Sequence, residues 1–303
     1  MSERRYASPQ ALRRAVTDRL RELAGQRSGA RLGDLMHQFA YDRLLARVFT
    51  ADADRWVLKG AAAMLARLPA AARHSNDIDL YSQTGDLAEA ERALRRAAAV
   101  DLCDYFRFVL GPARSLKQEA KAMRVPITAY LGPTEFASFH ADLVASLSMT
   151  GEAEEVRALI DIDIGLPQPR YRAYPVADHI ADKVCAMIET HPRKSGEPAA
   201  STRYRDLVDL ATFARSSEID GKALAAALRS ESERRGLTLP DQLADPSGAD
   251  WRAGYARSVR DAPALPDRDL ETALRTVRAM LDPILAGERV ARWDPTTLSW
   301  LSP

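Results

Sequence analysis

Apolar positions recur at helical spacing over residues 11–24 and again over 31–49, where Leu35, Phe39, Leu44 and Val48 fall near one face. Both stretches read as helices packed on a core. Residues 55–60 are a short apolar run closed by glycine, which predicts a strand and a turn. The alanine-rich 61–68 predicts a helix stopped by Pro69. At 76–82 (NDIDLYS) polar and apolar residues alternate, the signature of a strand. A capped helix is expected over 86–99, followed by strands at 105–110, 123–131 and 139–145. The pattern changes after Gly165, where Pro167, Pro169 and Pro175 punctuate a linker. Helical spacing then dominates at 177–189, 202–215, 221–235 and 267–281, the last with a stripe of Leu270, Leu274, Val277 and Leu281. Residues 241–266 read as loop around Trp251 and Tyr255, and Trp293 and Trp300 should fold the 287–303 tail back onto the protein. Strands, a helix and further strands predict an α/β fold: a mixed sheet with flanking helices in residues 1–165, then a mainly helical domain in 166–303.

Composition narrows the setting. The chain has 303 residues, 46% hydrophobic and 28% charged, which is globular and not disordered. No apolar run approaches the ~20 residues that span a bilayer. The first fourteen residues lack an apolar signal core. Cys103 and Cys185 form no zinc pattern. A reducing, cytoplasmic setting without membrane attachment is expected. The net charge of +1 argues against a nucleic-acid coat protein, although basic residues gather at 107–124, 170–172 and 193–205. Only six of the 43 basic residues are lysine, so a lysine kept at a motif position carries extra weight.

The candidate chemistry begins at Asp77-Ile78-Asp79. On a strand, residues two apart share a face roughly 7 Å apart along the chain, so both carboxylates can converge on one hard cation. Asp142, in the strand FHADLV, is placed to supply a third carboxylate from a neighbouring strand. Three carboxylates on two strands are minimal equipment for phosphoryl chemistry with one or two Mg²⁺ ions. A solvated strand face would carry the same pattern, and a second DxD, Asp161 and Asp163, has no glycine turn before it. The first pair has one. Lys59-Gly60 ends a strand and opens a helix, whose free N–H groups can receive a phosphate with Lys59 adding charge. Ser75 lies in the loop before the pair and is a further candidate for phosphate.

LKGAAAML, ARHSNDIDL, FHADLV, ADKVCAM and STRYRDLVDL occur in that order between residues 56 and 214. Together they resemble the AbiEii/AbiGii nucleotidyltransferase toxins, the MenT-like group of the polymerase-beta-like superfamily. The resemblance implies that Asp77 and Asp79 bind metal with Asp142 as third carboxylate. It also implies that Lys183 holds the incoming triphosphate and that Asp206 completes the site. Without it, Lys183 reads as a snorkelling lysine and Asp206 as an exposed helix carboxylate. Relatives carry a hydroxyl residue after the first strand, whereas this chain has Gly60-Ala61-Ala62-Ala63. A lost hydrogen bond to a charged group is worth ~1.5–3 kcal/mol.

The resemblance further implies an Mg²⁺-dependent transfer of NMP from an NTP to an RNA acceptor, the tRNA 3′ end. The helical domain would close the cleft, and the protein would be the toxin partner of a separate, DNA-binding antitoxin. Arg193, Lys194, Arg203 and Arg205 are candidate RNA contacts. A small molecule or protein side chain as acceptor, or a catalytically weak nucleic-acid-binding module, remain the alternatives.

Overall fold

The computed structural model describes all residues except 1–3, 28, 117–121, 148, 190, 193–197, 200, 247–249 and 303, with backbone alone at 191–192 and 198–199. The chain divides into two compact units. The first comprises Met1–Ala70, His74–Leu147 and Ala153–Ala173; the second comprises Ala71–Arg73, Ser148–Glu152 and Tyr174–Pro303.

The first unit is built on one mixed sheet. Its helices are α1 (Pro9–Gln26), α2 (Leu32–Ala51), α3 (Gly60–Arg67) and α4 (Leu87–Ala98). Its strands are β1 (Trp56–Lys59), β2 (Asp77–Ser82), β3 (Phe106–Leu110), β4 (Arg114–Ser115), β5 (Ala122–Leu131), β6 (Thr134–Val144), β7 (Glu154–Arg157) and β8 (Arg170–Ala173). The strand order is β3-β5-β6-β2-β1-β8-β7, with β4 added alongside β5. Pairing is parallel at β2/β6 and β1/β8 and antiparallel elsewhere. The α/β expectation holds, but the proline-punctuated linker contains β8, a strand of this sheet, and β4 and β7 are further short strands that the pattern does not predict.

Alternation assigns the two faces. In β5, Val125, Ile127, Ala129 and Leu131 are buried, whereas Arg124, Pro126, Thr128 and Tyr130 are only partly covered. The buried face carries Phe106 and Phe139, which meet Phe39 and Tyr41 of α2 edge-on. Helix α2 is more buried than its one expected face implied: every residue from Gln38 to Phe49 is covered. Its charges are satisfied internally. Asp42 accepts from the Leu159 and Ile160 amides and the Tyr171 hydroxyl, while Arg43 and Arg47 both donate to buried Asp104. Ser8 and Asp86 cap α1 and α4 through their side-chain oxygens.

The second unit is mainly helical: α5 (Val176–Ile188), α6 (Tyr204–Ser216), α7 (Gly221–Arg235), α8 (Trp251–Ser258) and α9 (Leu270–Leu285). Short strands β9 (His191–Pro192) and β10 (Pro198–Ala199) pair with each other. Strands β11 (Ile219–Asp220), β12 (Arg292–Asp294) and β13 (Ser299–Trp300) form a small sheet. The tail does fold back: the indole N–H groups of Trp293 and Trp300 donate to the Ala214 and Met280 carbonyls. Helix α8 lies inside the stretch expected to be loop. Among the described residues, no helix is long and apolar enough to cross a membrane.

Candidate functional site

Strand register brings the expected carboxylates of the first unit together. Lys59 of β1 lies opposite Asp79 of β2, Asp79 opposite Asp142 of β6, and Asp142 opposite Arg124 of β5. Paired residues share a face, so four strands present one row in the order cation, anion, anion, cation. One step along, Asp77 lies opposite His140, and its carboxylate is 3.6 Å from the His140 Nδ1. Ile78 and Leu80 point the other way and are fully buried, which fixes β2 against slippage.

Arg124 is not among the residues that the motifs single out. Its Nε and one terminal nitrogen donate to both oxygens of Asp142 at 2.7 Å, and the same terminal nitrogen reaches Asp77 at 3.2 Å. The hydrogen bond to Asp142 holds the guanidinium protonated well above its ordinary range, against partial burial and with the Asp77 and Asp79 charges adding. Its place on the carboxylate face depends on the β5–β6 register, which no local spacing reveals.

The donor set can be weighed against a divalent cation. Asp77 and Asp79 offer hard oxygens from one strand face. Asp142 stands beside them, but its oxygens accept from Arg124, and the described residues contain no ready-made group of three acidic, histidine or cysteine ligands. That is compatible with Mg²⁺, which is held by one or two carboxylates and substrate phosphates more often than by an all-protein cage.

Gly60 begins α3 at φ +58°, and a Cβ there would stand 1.8 Å from Asp79 Oδ2. Glycine is thus required both by the backbone and by the packing of a candidate ligand over it. Ala61 and Ala62, which follow Gly60 in α3, are 4% and 0% exposed. Ser75 caps the entry to β2, its hydroxyl accepting from the Asp77 amide at 3.3 Å while its carbonyl accepts from Tyr41. The Gly60→Ala variant is expected to force the Asp79 carboxylate aside. Left-handed backbone alone costs ~1–2 kcal/mol for a residue with a Cβ. Nucleotide transfer should fall at least tenfold while circular dichroism still reports a folded chain; unchanged turnover would show that Asp79 needs no support from this turn. Asp161 and Asp163 lie outside any strand, and Asp163 caps a local turn at Gly165.

The second unit has its own charged cluster. Lys183 of α5 is buried, and its ammonium donates to Asp206 at 3.1 Å and Asp209 at 2.5 Å, both on α6. Asp209 is fully buried and also accepts two hydrogen bonds from Arg73, at 2.9 and 3.0 Å. Burial disfavours the Asp209 charge, but Lys183 and Arg73 outweigh it and hold its pKa below the ordinary value. Burial likewise works against the Lys183 ammonium, and Asp209 with Asp206 lifts its pKa above normal. Asp209, three residues after the expected Asp206, is the cluster's central anion. An aspartate on the buried stripe LVDLA was the available signal. Arg203 reaches only 3.7 Å from Asp206, and Arg205 is exposed; Arg193 and Lys194 lie outside the described residues.

The sequence matches the model of the AbiEii nucleotidyl transferase toxins of type IV toxin–antitoxin systems over residues 43–278. No curated protein matches the chain. Among solved structures it is similar to MenT4, a nucleotidyltransferase toxin from Mycobacterium tuberculosis H37Rv. That match has 18% identity and a TM-score of 0.48, covering 94% of this chain and 100% of the other. It is also similar to JHP933 from Helicobacter pylori, with 18% identity and a TM-score of 0.43 over 84% and 92% of the two chains. With the match running through both the carboxylate row and the Lys183–Asp209 cluster, the chain belongs to the AbiEii family and is a nucleotidyltransferase toxin.

Proposed function

We propose that this chain transfers the NMP of a nucleoside triphosphate to a hydroxyl of RNA, the 3′ end of tRNA, so that charging and translation stop. The observation carrying this reading is the row Lys59–Asp79–Asp142–Arg124 with Asp77 beside it, a concentration of charge on one partly covered sheet face. In the reaction the acceptor oxygen attacks the α-phosphorus, the bond to the β-phosphate oxygen breaks, and pyrophosphate leaves. The acceptor proton passes to solvent or to a neighbouring carboxylate.

Asp77 and Asp79 would hold Mg²⁺, which supplies charge neutralisation for the triphosphate and the leaving pyrophosphate. The amides at the start of α3, with Lys59, Gly60 and Ser75 around them, are assigned to phosphate. Asp142 is held in place by two hydrogen bonds from Arg124. Lys183 is assigned to the triphosphate, and Asp206 and Asp209 keep its ammonium in place. As a member of a toxin–antitoxin family the protein has an antitoxin as counterpart, here proposed to be a separate DNA-binding protein.

The acceptor is tested by incubating the protein with each α-labelled NTP and total tRNA, with Mg²⁺ or with chelator. Label should enter tRNA only with Mg²⁺, and prior periodate oxidation of the tRNA 3′ end should abolish it. Label in protein or a small molecule instead would replace RNA as the acceptor. No labelling anywhere, with RNA still bound, would favour a weak binding module.

A further inference from the structure

The sheet face that carries the carboxylate row continues outward beyond it. From Asp142 and Arg124, register places Pro126 beside His140 and Thr128 beside Ser138 and Val109. It then places Tyr130 beside Arg107, and Arg114 of β4 beside Arg124. All lie on the side opposite the packed face of Phe106, Phe139 and Val125. The residues are accessible: Arg107, Arg114 and Ser138 are exposed, and Val109, at 44%, is one of the few exposed large apolar side chains.

The chemistry of this strip is specific. The Arg107 guanidinium lies 4.4 Å from the centre of the Tyr130 ring, a planar cation stacked on an aromatic. Most arginines in this unit are committed to carboxylates or carbonyls, whereas Arg107 and Arg114 make no ion pair with a carboxylate among the described residues. Glu135, across β5 from this pair, is engaged by the Ser138 hydroxyl. Six residues of β5 separate Arg124 from Tyr130, about 20 Å of extended strand. A stacking aromatic and spaced guanidiniums along a shallow open face suit a single-stranded polynucleotide, whose bases offer π-faces and whose phosphates take the cations. A duplex would keep its bases stacked away from Tyr130.

We infer that the open face of β3, β4 and β5 seats the single-stranded end of the RNA acceptor, with a base on Tyr130, phosphates on Arg107 and Arg114, and the terminal hydroxyl directed to the Asp77–Asp79–Asp142 row. This rests on the RNA-acceptor reading above and places the acceptor on this face of the first unit.

The test uses the full-length protein and a short fluorescein-labelled single-stranded RNA followed by anisotropy. Tyr130→Ala should weaken binding roughly tenfold, the scale of one base–aromatic stack, and Tyr130→Phe should restore it. The double variant Arg107→Gln with Arg114→Gln should flatten the dependence of log affinity on log salt by about 0.7 for each phosphate that is no longer neutralised. In transfer assays the same variants should raise KM for RNA and leave KM for NTP unchanged. If wild type labels RNA and these variants bind it as wild type does, the face is not the acceptor seat although the RNA reading stands. If wild type neither binds nor labels RNA, the RNA-acceptor reading fails, and this inference fails with it.

Discussion

Asp77→Ala combined with Asp79→Ala is expected to abolish nucleotidyl transfer, a loss of roughly a thousandfold or more, while the chain stays folded. Metal-assisted charge stabilisation contributes several kcal/mol to phosphoryl chemistry, and each 1.36 kcal/mol is tenfold in rate. The fold should survive because both side chains lie on the less covered face of β2, with Ile78 and Leu80 anchoring the strand from the other side. Removing the pair also leaves Arg124 bound to both oxygens of Asp142. Growth arrest on expression should vanish together with turnover. Arrest that persists in an inactive double variant would separate toxicity from this site.

The largest effect on stability is expected at Asp209. Asp209→Asn removes the charge that meets both Lys183 and Arg73 in a fully buried position. Breaking a buried ion pair by removing one partner costs ~3–5 kcal/mol. Thermal melting should show the drop, with Asp206→Asn, whose side chain is 15% exposed, much milder. The pH dependence follows from the two shifts. The lowered Asp209 pKa contributes stability above the ordinary aspartate value of about 4, lost as pH falls through the native pKa. The raised Lys183 pKa contributes stability below the ordinary lysine value of about 10, lost as pH rises through its native pKa. The wild-type advantage over Asp209→Asn should therefore be widest between about pH 4 and 10 and narrow outside it. Equal melting of the Asp206 and Asp209 variants would contradict the central place given to Asp209.

Much of the first unit was legible because its signals are local. Alternation in NDIDLYS reports which side of β2 is packed, and the Asp86 cap marks the start of α4. Short strands such as Glu154–Arg157 and Arg170–Ala173 carry no comparable signal; the second pairs with the edge of β1 and the first pairs with the second. Helix α2 reads as amphipathic, yet Asp42, Arg43 and Arg47 are buried, each with partners far along the chain. Helix α8 was hidden by Gly254, whose missing side chain makes room for the Tyr204 ring, since a Cβ would lie 2.5 Å from it. The candidate site shows the same division. The Asp77–Asp79 spacing is written in the sequence. That Asp142 faces Asp79, that Arg124 closes the row and that Arg73 meets Asp209 depend on long-range pairing, which a one-residue change in register would undo.

The most direct test of the central claim compares the fate of the two ends of the triphosphate. The protein is incubated with total RNA and an NTP labelled either at the α- or the γ-phosphate. Nucleotidyl transfer at the Asp77–Asp79 row requires α-label in the acceptor and γ-label in released pyrophosphate in equal amounts, with both signals lost in the Asp77→Ala/Asp79→Ala variant. Label from the γ-phosphate retained in the acceptor, or α-label transferred undiminished by the double variant, would contradict it.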